Sequence, residues 1–120
     1  VRAECVASDA PRPPDIEVFD RYPLTSNDPD ATATVTAAFL DHFGADRVKQ
    51  LAPITASEDF SVIPDALGVP YCYWGFGGFT PDQQPLPNHN PRFAPALQPT
   101  LRTGTEAAVV AALAYLGKAR

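Results

Sequence analysis

His89 sits between Asn88 and Asn90, in a run that opens with Pro85, Leu86 and Pro87 and closes with Pro91, Arg92 and Phe93. A neutral imidazole on a stiff, proline-bracketed loop is a natural metal ligand, because the loop sets the ring before an ion arrives. One imidazole does not make a metal centre, since a hydrolytic zinc site takes about three or four ligands. An exposed loop histidine is the plainer reading of the same residue. The other histidine, His42, falls on the apolar stripe of a predicted helix and reads as a helix residue rather than a ligand. Ser57, Glu58, Asp59 and Phe60 put two adjacent carboxylates where a predicted strand gives way to a predicted helix. Such junctions line the crevice of open α/β sheets. Acidic residues also stabilise a helix N-terminus by about 0.3–1 kcal/mol each, so Ser57 can equally be a cap with two carboxylates behind it.

Other chemistries find no support. There is no G-x-S-x-G nucleophile elbow and no H-E-x-x-H pair. Gly75, Phe76, Gly77 and Gly78 lack the lysine of a phosphate loop and read as a turn, or as a place where a substrate approaches backbone. A net charge of −5 argues against a general affinity for nucleic acid or anionic membrane, both of which call for excess Lys and Arg. No apolar run reaches the length of a membrane span. Cys5 and Cys72 have no C-x-x-C spacing and are expected to be free thiols. With no export pattern at its start, a cytosolic location is the default expectation.

The elements that must position these residues follow from periodicity and punctuation. Residues 1 to 9 read as the last turns of a helix, ended by Pro11, Pro13 and Pro14. Ile16 to Phe19 reads as a short strand. Asp28 is a good N-cap with Pro29 at the first helical position, and the helix then runs to Phe43, where Gly44 stops it. Val35, Ala38, Phe39, His42 and Phe43 form its apolar stripe. Val48 to Ile54 predicts a strand, Ser57 opens a short helix limited by Pro64, and Val69 to Phe76 predicts a buried central strand. Residues 80 to 96 form a long loop, of a length that is usually functional or disordered. A final helix runs from about Pro99 to Leu116, apolar on more than one side and therefore expected between other elements. The fold class expected is α/β, with helices covering a partial sheet, and these strands need more covering than this chain can give.

Taken in order, Tyr22 to Asp28, Ser57 to Ser61, Asn88 to Phe93, and Gly104 in an alanine-rich terminal helix resemble the C-terminal part of a metal-dependent amidohydrolase. The family includes aminoacylases, hippurate hydrolase, indole-acetyl-amino-acid hydrolase and related carboxypeptidases. The resemblance implies the second half of a zinc-peptidase-like catalytic domain over residues 25–120, and a remnant of an inserted lid or dimerisation domain over 1–24. It implies a hinge at Asn27 and Asp28, and His89 as the last metal ligand in a motif usually written His-Ser-Pro-x-Phe, with Asn90 replacing the Ser. It implies Ser57, Glu58 and Asp59 beside the substrate. No segment matches the other ligands or the general base, which lie in the family's N-terminal half, so no catalytic residue is expected in this fragment. The partners implied are that missing half, a small N-acyl amino acid substrate, zinc or another divalent metal in the full-length enzyme, and a second copy where the lid dimerises. The fragment alone should be inactive. The competing reading is a self-contained, non-enzymatic α/β binding module with a closed core.

Overall fold

A computed structural model describes residues 1–117. Helix α1 spans Arg2–Ala7, α2 Pro29–Phe43, α3 Val62–Leu67 and α4 Leu97–Leu116. Helix α2 forms where its caps place it. The Asp28 carboxylate accepts the Ala31 N–H at 2.8 Å, Pro29 occupies the first turn, and Gly44 leaves the helix at φ 82°. That φ lies in a region open mainly to glycine, so the stop is written into the residue type. Helix α4 becomes regular at Pro99, because Gln98 before it is extended (φ −121°, ψ 135°). The Ala96 N–H donates to the Gly78 carbonyl at 2.8 Å and ties the start of α4 to the glycine turn. Thr103 to Glu106 lie inside this helix and cap nothing.

The core is the seam between α2 and α4, the one pair of described helices in contact. Ala31 and Val35 on α2 are buried against Ala107 and Ala111 on α4. These α4 residues continue a row spaced by four that begins at Thr103 and ends at Tyr115, so they share one face. The helices run antiparallel. Tyr115 donates to the Ala31 carbonyl at 3.4 Å at one end, and Arg47 donates to Thr103 Oγ1 at 3.3 Å at the other. His42 and Glu106 lie 3.9 Å apart between them. The residues buried in this seam are small, three alanines and a valine.

The expected α/β fold with a partial sheet is not what forms: no strand occurs among the described residues. A strand exists only as part of a hydrogen-bonded ladder. Residues 16–19, 48–54 and 69–76 have the right composition, but none meets a partner strand. The nearest approach to a ladder is one backbone bond, from the Asp28 N–H to the Tyr71 carbonyl at 2.9 Å. Nor is α4 enclosed. Its larger apolar residues, Val109, Leu113, Tyr115 and Leu116, are exposed, Leu116 to 80 %. The radius of gyration is 20.4 Å, against about 14 Å for a compact chain of this length. No described helix is long and apolar enough to cross a membrane.

Candidate functional site

The short helix near the paired carboxylates begins later than expected. Ser57 is exposed and caps nothing, and α3 starts at Val62 behind Ser61. Glu58 takes over the role of ordering this turn. Its Oε1 accepts the backbone N–H groups of Asp59 at 3.0 Å and Phe60 at 3.1 Å. Its Oε2 accepts the Tyr73 hydroxyl at 2.8 Å. The phenol, followed by the Phe60 N–H, holds the Glu58 carboxyl below its ordinary value, while the same bond pushes the Tyr73 phenol up. Both shifts follow because each partner favours the pairing of a carboxylate with a protonated phenol. Asp59 is exposed, and its backbone N–H is one of the donors to Glu58.

Phe60 stacks beside this pair. Its ring centroid lies 4.9 Å from Tyr73 and 5.7 Å from Tyr71. Tyr71 and Tyr73, two residues apart, therefore reach the same aromatic side chain. Behind them, Asn27 donates from Nδ2 to the Tyr73 carbonyl at 2.8 Å and accepts the Tyr73 N–H at Oδ1, 2.7 Å away. The Ser26 N–H donates to the Tyr71 hydroxyl at 2.8 Å. Residues 26–28, 58–60 and 71–73 thus form one cluster. Sequence reading singled out Asn27, Asp28 and Glu58 but missed Tyr71 and Tyr73 as their partners. The two-residue spacing of the tyrosines, with Cys72 between, was the available signal. Cys72 and Cys5 are free thiols, as expected.

His89 stands elsewhere, exposed at a tight turn with φ 69°. The turn is built by its neighbours: the Asn90 N–H donates to Pro87 O at 3.2 Å, the Arg92 N–H to Asn90 Oδ1 at 2.9 Å, and the Phe93 N–H to Asn90 O at 2.8 Å. Phe93 meets Phe79 edge-on at 5.7 Å, which secures the far end of the motif. Asn90 is thus a turn-forming residue, a job its amide does well. No hydrogen bond or ion pair joins His89 to the Glu58 cluster among the described residues. No three His, Cys, Asp or Glu side chains converge there as a metal site either. The donor set of the described residues therefore does not by itself fit a divalent ion, which needs about three or four ligands.

An open groove of about 480 Å³ runs beside α4, lined by residues including Phe76, Pro95, Leu97, Leu101 and Gly104. Its walls are apolar, and neither Glu58 nor His89 borders it.

Against the models of known protein families, residues 12–114 match peptidase family M20/M25/M40. The match takes in the Asn27–Tyr73 cluster, the Glu58 turn and the His89 loop, and its members are generally metal-dependent hydrolases. This chain belongs to peptidase family M20/M25/M40.

Proposed function

We propose that this chain is the C-terminal part of a metal-dependent amidohydrolase that cleaves the amide bond of N-acyl amino acids. The observation that carries the reading is the family match across residues 12–114. The order of the Tyr22–Asp28, Ser57–Ser61 and Asn88–Phe93 blocks supports the amidohydrolase branch. The open shape and the exposed apolar residues of α4 agree with a chain that completes its core against another segment.

On this reading residues 1–24 derive from the lid, and residues 25–120 form part of the catalytic domain. His89 contributes one donor to a zinc or other divalent ion whose remaining ligands, with the general base, lie on the N-terminal half. Asn27 and Asp28 form the return from the lid. Ser57, Glu58 and Asp59 lie at the substrate side, where the Glu58–Tyr73 pair fixes the wall rather than taking part in proton transfer. The partners are the N-terminal half, a small N-acyl amino acid and, through the lid, a second copy. Since the described residues assemble no metal centre, the chain alone is expected to be catalytically silent. A self-contained binding module would need a sealed core, and the radius of gyration of 20.4 Å lends it no support.

The test is the metal content of the full-length enzyme carrying His89→Ala, read by elemental analysis beside hydrolysis of an N-acyl amino acid. Loss of bound metal together with activity is the expected result. Undiminished metal and turnover would refute the role of His89.

A further inference from the structure

Two tight turns meet at Asn90. The Asn90 N–H donates to the Pro87 carbonyl at 3.2 Å and closes the first, Pro87 to Asn90. The Phe93 N–H donates to the Asn90 carbonyl at 2.8 Å and closes the second, Asn90 to Phe93. Pro91 takes the second position of that turn, where its fixed φ suits the backbone. Pro91 has no N–H, so the first donor beyond Asn90 is the Arg92 N–H, and Asn90 Oδ1 accepts it at 2.9 Å. The backbone donor, backbone acceptor and side-chain oxygen of one residue are thus all engaged. Asn90 is half-buried, whereas every other residue from Pro87 to Phe93 is exposed.

His89 is the third residue of the first turn and has φ 69°. Asn88 before it does not share the positive φ, which is the pattern of a type II turn, whose third position suits glycine or asparagine. The other two described non-glycine residues with positive φ are Asp9 and Asp20, whose short polar side chains are tolerated in this region. An imidazole there is held at a cost that glycine would avoid, and such a conformation lasts only where its surroundings enforce it. The enforcement comes from the C-terminal side. The Asn90 bonds fix the exit of the turn, and Phe93, edge-on to Phe79 at 5.7 Å, anchors the segment beyond. A histidine kept where glycine would fit more easily points to a use for its ring.

We propose that Asn90 is a positioning residue for His89: its side-chain bond to Arg92 keeps the His89 backbone left-handed and so sets where the imidazole leaves the chain. The consequence for hydrolysis rests on the reading of His89 as a residue of the active centre. The backbone part stands without that reading.

Asn90→Ala in the full-length enzyme is the test. Crystal structures of parent and variant should show His89 leaving the left-handed region in the variant. With an N-acyl amino acid, kcat should fall about 10- to 100-fold with KM little changed, the loss that a small misplacement of a participating group produces. Asn90→Asp and Asn90→Ser keep an acceptor oxygen for the Arg92 N–H, and they should restore the left-handed φ and most of the rate. A left-handed His89 in Asn90→Ala, an undiminished kcat, or no recovery in either acceptor variant would each overturn the proposal. Amide exchange on the unmutated enzyme gives a reading that no variant's folding can spoil. Arg92 should exchange at least about tenfold more slowly than His89, whose N–H has no bond among the described residues. Equal exchange would sink the idea. His89→Ala in the same assay keeps the two readings apart: full turnover there would remove His89 from the active centre, while the φ and exchange comparisons still judge the part played by Asn90.

Discussion

The Tyr73 hydroxyl donates to Glu58 Oε2 at 2.8 Å, joining the turn before α3 to the tyrosine segment fifteen residues on. The bond lowers the Glu58 carboxyl from its ordinary 4.5. A carboxyl depressed by folding contributes stability that is present above its unfolded value and lost as pH falls through the folded one. Tyr73→Phe should therefore raise the Glu58 midpoint towards 4.5 in a carbon-detected titration and weaken the acid-side dependence of stability below that pH. An unmoved midpoint would show that the backbone N–H groups of Asp59 and Phe60 dominate instead.

At the alkaline end the sign reverses. The Tyr73 phenol is raised above its ordinary 10.0, first by its bond to Glu58. Its contribution is complete below that value and disappears as pH rises through the folded midpoint. Glu58→Gln removes the carboxylate, so ultraviolet titration of tyrosinate should show one phenol ionising at lower pH than in the parent.

The cap on α2 is testable alone. Asp28→Ala removes the acceptor of the Ala31 N–H and should cost about 1 kcal/mol of stability. Circular dichroism during denaturant unfolding would register a lower midpoint with an unchanged slope. Asp28→Asn, which keeps an acceptor oxygen, should recover most of it.

Gly104 and Phe76 constrain each other. A Cβ at position 104 would lie 2.9 Å from Phe76 Cζ, too close unless the ring moves. Phe76 is exposed, so it can swing away at modest cost. In a Phe76→Ala background, Gly104→Ala should stabilise α4 by about 1 kcal/mol through helix propensity. In the parent the gain should be smaller, and the Phe76 ring resonances should shift. Equal gains in both backgrounds would contradict the contact.

The α2–α4 seam tolerates little added volume. Ala107 is buried against α2, so Ala107→Leu should force the helices apart at a cost of about 1–3 kcal/mol. Thermal unfolding measures the cost. The same change at the exposed position 108 should be nearly neutral.

Helices α2 and α4 were legible because their information is local. Asp28, Pro29 and Gly44 bracket α2, and Pro99 marks where α4 turns regular, so each boundary depends on residues a few positions apart. The residue blocks around Asn27, Glu58 and His89 were local too, and they carried a resemblance that the match over residues 12–114 supports at the level of the peptidase family. The paired carboxylates were legible only in part. Their link to a helix start was read from Ser57, yet α3 begins at Val62 and Glu58 orders the turn before it.

What the sequence by itself determined is thus the capped helix α2, the helix α4 that turns regular at Pro99, the free thiols and the order of the chemistry-bearing blocks. A helix meets its own hydrogen-bond needs within four residues, so composition and punctuation suffice to place it. Tertiary structure decided whether residues 69–76 are a strand, because a ladder needs a partner distant in sequence. Here the backbone of Tyr73 finds the side chain of Asn27, 46 positions away, in place of a partner strand. It also decided which residues Glu58 meets, since a side-chain contact at long range depends on how the whole chain is laid out and not on any short run of residues.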